Sequence, residues 1–314
     1  KIVNNICHSI NWPKSQRWGN SDLKWGRPLR NVLVLIGNKK ASGFIKIGKN
    51  NTLKFSNFTF GHRSILKKIN IDSAEEFINK MKKNNVYIRR SDRKKVIDRK
   101  IFNVVNKYNL SLYKDKDLLE EVIGLVEYPN VLIGKIEKEF MALPFEILST
   151  VMKVHQKYFS LVDKHGKMAP FFLVITNSLE NKYNDKVILQ GNERVLRARL
   201  SDALFFWKTD LSKGFDIYLN KLKTIKFYEN LGSLYDRSLR ISIICKKLGS
   251  LFSINENRKL KILGLYSKLD LCSNLVFEFP ELQGVMLKFL ARNNDYDTEM
   301  QKAFEDQYKP LGLN

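Results

Sequence analysis

Four histidines, three cysteines and one arginine-rich stretch carry most of the chemistry open to this chain. The histidines are His8, His62, His155 and His165. None follows residue 165, so the rest of the chain has no histidine for a metal centre or a general base of its own. Cys7, Cys245 and Cys272 stand far apart with no CxxC pair. That spacing supports neither a disulfide framework nor a zinc site, and fits idle thiols in a reducing cytoplasm. The sequence has no GxxxxGK[ST] loop, no GxGxxG after a strand and no GxSxG elbow. Asp163 and His165 fall in an expected hairpin turn, where polar residues serve the turn. "GHRS", Gly61 to Ser64, has two readings: the His-Arg pair contacts phosphate or ribose, or it anchors a turn.

The stretch "GNERVLRARLSDALFFWKTD", Gly191 to Asp210, places three arginines beside an aromatic cluster. As a binder, Arg194 and Arg197 would grip phosphates with their forked donors. As scaffold, the arginines would pair with carboxylates, Arg199 with Asp202 three residues on. Phe205, Phe206 and Trp207 would each contribute about 2–3 kcal/mol if fully buried, more than an exposed stacking platform needs. That favours a buried helix with arginines at a domain seam.

Elements must position these groups. The chain has 314 residues, 44% hydrophobic and 28% charged, a soluble globular composition with room for two domains. No window approaches a membrane span. The net charge of +23 is uneven. Residues 1–100 hold 24 Lys and Arg against 6 Asp and Glu, and residues 101–314 hold 31 against 26. The basic half is suited to polyanions, whereas an AT-rich genome alone would load both halves with lysine alike.

"NVLVLIG" and the alternation after it predict strands over roughly 31–60. Ser73 caps a helix "AEEFINKMKKN", and a second helix covers about 93–108. "DLLEEVIGLVEYP" is a third, stopped by Pro129. "NVLIGKI" reads as a strand, "LPFEILSTVMKVHQ" as a helix opened by Pro144, and "KYFSLVD" with "APFFLVITN" as a hairpin. From Gly191 the pattern is helical. Leu196, Leu200, Ala203, Leu204 and Trp207 form one stripe, Asn192 is placed to cap, and Asp236 with Arg237 reads as an ion pair on a helix face. The fold class expected is α+β: a mixed α/β region, 1–188, followed by an all-helical region, 189–314.

Ten stretches, in order, resemble the β subunit of bacterial heterotetrameric glycyl-tRNA synthetase. They include "PKSQRWG", "RPLRNVLVLIG", "GHR", "LLEEVIGLVEYP", "LPFEIL", "MKVHQKYF", the arginine stretch itself, "LGSLYDRSLR", "KLDLCSNLVFEFPELQGVM" and "DQYKP". The resemblance implies that the first region is similar to the editing domain of the phenylalanyl-tRNA synthetase β chain, and that the second is a degenerate relative of HD phosphohydrolases. In "SKLD", Leu269 stands where an HD enzyme carries its metal-binding histidine, and leucine ligates no metal.

The resemblance also implies an α subunit that holds the catalytic core for glycine and ATP with magnesium, an α2β2 complex, a glycine tRNA partner and a cytoplasmic location without a membrane. No catalytic residue, cofactor or metal is then expected on this chain. The basic motif positions Arg17, His62, Arg63, Arg89, Arg90, Lys157, Arg194 and Arg197 are the expected tRNA contacts. An editing-type deacylase and a purely structural subunit are the competing readings. Departures from the family pattern are Gln16 for methionine, Leu287 for glycine and Leu290 for tyrosine. The chain is expected to be a central piece, without the family's first hundred-odd residues and without the anticodon-binding domain after "YKPLGLN".

Overall fold

The computed structural model describes residues 1–254 and 256–310. Helix α1 (Ile2–Ser9) precedes a run of short strands: β1 (Val32–Leu33), β2 (Leu35–Ile36), β3 (Lys39–Lys40), β4 (Phe44–Gly48), β5 (Asn51–Ser56), β6 (Phe58–Phe60) and β7 (Lys68–Asn70). Helices α2 (Ala74–Lys83) and α3 (Arg90–Lys107) follow, then β8 (Ser111–Leu112), α4 (Lys116–Leu125), β9 (Pro129–Lys135), α5 (Phe145–Gln156), β10 (Phe159–Val162) and β11 (Met168–Asn177). Helix α6 (Lys182–Leu211) opens the helical part, with α7 (Phe215–Thr224), a small hairpin β12 (Lys226–Tyr228) and β13 (Gly232–Ser233), α8 (Leu234–Leu251), α9 (Asn257–Tyr266), α10 (Asn274–Glu278), α11 (Val285–Asn293) and α12 (Thr298–Asp306). The fold is mixed α and β, as expected, but the β12–β13 hairpin interrupts the region 189–314 expected to be all-helical.

The chain divides into two compact units. The first comprises Lys1–Val104, Leu119–Leu132 and Ile175–Lys182, and the second Val105–Leu118, Ile133–Val174 and Tyr183–Asn314. In the first unit β4 and β5 form a hairpin turned at Gly48 and Asn51, and β1 joins β5 in parallel. Strands β6 and β7 make a second hairpin. Leu23, Ile45 and Ile47 bury against Trp18, Trp25 and Phe55, while Ile69, Ile71, Met81 and Val86 bury against Phe77. Ser73 caps α2 by accepting from the Glu76 N–H. Gln16 pairs with Trp25 only through backbone groups and its residue is exposed, so a side chain other than methionine costs little there.

In the second unit β10 pairs antiparallel with both β8 and β11. Pro129 begins β9, and α4 has already ended at Leu125. Gly134 of β9 lies under a ring: a Cβ there would stand 2.3 Å from Cζ of Phe172, so only glycine fits. Helix α5 starts after Pro144 and buries Ile147, Leu148, Val151 and Met152. Leu287 and Leu290 of α11 are both 0% exposed, so their bulk is taken up within the helical core.

Some expectations fail locally. Helix α6 is 30 residues long and runs straight through Gly191, so Asn192 sits mid-helix and caps nothing. Its amide instead donates to the Ile188 carbonyl, and its oxygen accepts from the Tyr158 hydroxyl at 2.5 Å. Asp236 closes a capping box with Ser233 rather than pairing with Arg237, whose guanidinium lies 4.4 Å over the Phe227 ring.

Candidate nucleic-acid interface

One side-chain oxygen organises the first unit around "GHRS". His62 is 0% exposed. Its Nδ1 accepts from the Ser64 backbone N–H, so the hydrogen sits on Nε2, which donates to Asn177 Oδ1 at 3.3 Å. The same oxygen accepts from the backbone N–H groups of Glu127 at 3.1 Å and Tyr128 at 2.9 Å. Two backbone donors fix which end of the Asn177 amide faces inward. Tyr128 then stacks on Tyr87 with centroids 5.7 Å apart and planes 9° apart, and the Tyr87 N–H donates to the Glu127 carbonyl. Tyr87 stands two residues before Arg89. The turn carrying Arg63 and the segment carrying Arg89 and Arg90 are thus braced by one hydrogen-bonded knot.

His62 is the correction this geometry makes to the expected contacts. Buried, with both ring nitrogens engaged, it offers no face to RNA and instead anchors the turn. Arg63 is exposed on that turn between His62 and the exposed Ile65 and Leu66. Arg89 is exposed as well. Arg90 is committed: it donates to the Glu120 carboxylate at 2.9 Å and to the Glu120 carbonyl at 2.8 Å. Arg93 donates beside it to the carbonyls of Ile123 and Val126, closing the C-terminal end of α4 with a cation. Arg17 is exposed next to the Gln16–Trp25 bridge. Among the described residues Arg17, Arg63 and Arg89 have no acidic partner.

The second unit holds the remaining candidates. On α6, Arg194 is exposed and also lacks an acidic partner among the described residues. Arg197 pairs with Glu137. Arg199 pairs with Glu278 at 3.2 Å, not with Asp202. Glu193, one turn away, accepts from the Lys135 backbone N–H at 2.9 Å. Leu196, Leu200 and Ala203 face the core as predicted, but Phe205 is 65% exposed, so the aromatic cluster is only partly buried. Lys157 ends α5 in the left-handed conformation, with φ at +57°, and is half-buried. The structure therefore gathers Arg63, Arg89 and Arg90 about the His62–Asn177 knot and, in the second unit, places Lys157 at the end of α5 and both Arg194 and Arg197 on α6.

Asn177, Tyr87 and Tyr128 escaped the sequence reading because their roles depend on contacts up to 115 positions apart in the chain. The only local signal was "EYP": a tyrosine before proline is held extended, which aims its N–H outward from any helix.

In the "SKLD" stretch Leu269 and Asp270 are both 0% exposed. Asp270 accepts from the Gly284 N–H at 2.7 Å, the Leu271 N–H at 3.1 Å and the Tyr308 hydroxyl at 3.4 Å. Burial outweighs these donors and raises its carboxyl to about 6. Its oxygens are thus spent on the chain itself. No group of three or more His, Cys, Asp or Glu side chains suited to a metal occurs among the described residues, and no helix there is long and apolar enough to cross a membrane.

The basic α+β chain exposes Arg17, Arg63, Arg89 and Arg194, and such a surface is suited to polyanions. The family model described as glycyl-tRNA synthetase beta subunit matches residues 1–314. The chain is 41% identical over 315 residues to the glycine–tRNA ligase beta subunit of Rickettsia prowazekii (strain Madrid E), covering 100% of this chain and 46% of that protein. It is 40% identical to the protein of the same name from Rickettsia typhi and 38% identical to that from Rickettsia canadensis, again over 100% of this chain and 46% and 45% of those proteins. It therefore spans just under half the length of these relatives. The chain belongs to the glycyl-tRNA synthetase beta subunit family.

Proposed function

We propose that this chain acts within a cytoplasmic glycine–tRNA ligase as a tRNA-binding and architectural part of the beta subunit. Glycine, ATP and magnesium are then handled on an alpha subunit, and this chain supplies contacts rather than reacting groups. The family match over the whole chain carries this reading. The exposed arginines Arg17, Arg63, Arg89 and Arg194 support it, since guanidinium groups without carboxylate partners are free to take phosphates. Arg90, Arg197 and Lys157 remain secondary candidates, their side chains or backbone being tied to the fold.

The helical part reads as a degenerate HD-like scaffold. Its buried Asp270 satisfies the start of α11 and the Tyr308 hydroxyl instead of facing an open site. The test is binding of the purified chain to glycine tRNA and to a non-cognate tRNA across a salt series. A preference for glycine tRNA that persists near physiological salt is the expected result. Equal affinities that collapse together with salt would reduce the basic surface to a generic polyanion field.

A further inference from the structure

Helix α8 packs on α9 and, over its first turns, on α7 and the β12–β13 hairpin, and leaves one face of its second half bare. Its buried Ser242 and Gly249 lie at the α9 seam, where Ser242 donates to the Lys261 carbonyl and Gly249 and Gly264 allow close approach. On the free side Ile244 is 54% exposed, Leu248 44%, Leu251 77% and Phe252 73%. Their spacing, i, i+4, i+7 and i+8, makes one stripe. Beside it Ile243 lines a groove of 440 Å³ with Ser242, Lys246, Lys247, Ser250 and Lys261. Four large side chains in a row exceed the scattered apolar exposure of an ordinary surface.

Charge selects the occupant. Asp236 is the last acidic residue before Glu256, and it is spent in the capping box. Between them lie Arg237, Arg240, Lys246 and Lys247. Arg240 and Lys247 are one turn from Ile243 and Ile244, so cations interleave with the stripe. A second copy docking face to face would set these cations against each other, because a two-fold interface repeats the same patch. RNA would gain little from aliphatic side chains that cannot stack on bases. A flat bilayer would leave the groove wall at Lys261 unfilled. A helix with an apolar stripe edged by carboxylates satisfies both the groove and the charges.

We propose that the free face of α8 docks an acidic amphipathic helix of a partner protein. The probe is an 18-residue synthetic helix with leucine at i, i+3, i+4 and i+7 and glutamate beside them, titrated against the intact chain. Saturable binding that weakens with salt is expected. Ile244→Glu and Leu248→Glu, both at exposed sites, should each weaken it by about tenfold or more. A peptide with lysine in place of glutamate should fail on the native chain and bind the Lys246→Glu/Lys247→Glu variant. Equal binding of the lysine peptide to the native chain would overturn the proposal. So would absence of peptide binding, capture of the chain by phosphatidylserine vesicles in its place, or self-association that Ile244→Glu abolishes.

Discussion

Asn177 shows how much one acceptor can govern. Removing its side chain strips a partner from the His62 ring and from two backbone donors at once. Leaving such donors unpaired costs about 1–3 kcal/mol for each one that is buried. Asn177→Ala is therefore expected to lower the denaturant midpoint well beyond an ordinary surface change, and Asn177→Asp, which keeps the acceptor, to recover most of the loss. Equal midpoints for the alanine variant and the native chain would show that water replaces the amide.

Asp270 makes a prediction of opposite electrostatic sense. Its folded-state value, raised to about 6 by burial, lies above the ordinary carboxylate value. The folded chain then binds the proton more tightly than the unfolded chain, so this group's stabilisation is fullest below about pH 4 and fades as pH rises through 6. The stability of the native chain relative to Asp270→Asn should fall across that window in urea melts. A difference that grows with pH would reverse the sign.

At the scale of elements, periodicity was legible and partners were not. The stripe Leu196, Leu200, Ala203 announced the buried face of α6, and Ser73 and Pro144 announced two helix starts. The start of α6 was missed because Gly191 and Asn192 look like punctuation. The helix passes through them because the side chain of Asn192 is tied down by Tyr158 and Ile188. Asp202 lost Arg199 to Glu278, 79 positions away, since tertiary proximity outranks local spacing. The seam between α8 and α9 gives the clearest test at this scale. A Cβ on Gly264 would stand 2.4 Å from Cα of Ser242, and backbone cannot step aside as a side-chain tip can. Gly264→Ala should destabilise by about 1–3 kcal/mol despite alanine's better helix propensity. A variant as stable as the native chain would mean that α9 slides freely along α8.

For the whole molecule, the uneven charge gives a way to separate contact from field. Arg63 and Arg89 are exposed without acidic partners among the described residues, whereas Arg197 already answers Glu137. Charge reversal at Arg63 and Arg89 should lower tRNA affinity and reduce the salt slope by a little under one unit per lost phosphate contact. Reversal at Arg197 should weaken binding less and leave the slope nearly unchanged. Identical slopes for all three variants would place the contacts elsewhere. Composition revealed the basic half; which arginines are free depended on acids brought in from distant segments, such as Glu120 to Arg90 and Glu137 to Arg197.

Helix α6 adds a consequence of its own. Thirty residues of uninterrupted helix span about 45 Å. Glu193 engages the Lys135 backbone near its middle, and buried Asp210 holds the Leu275 N–H at its C-terminal end. The helix is in effect a keyed shaft. Deleting a single residue between those two points would turn one key by about 100° against the other and shift it by about 1.5 Å. Changes of length are therefore expected to survive only outside those two points, while substitutions on its outer face leave the fold intact.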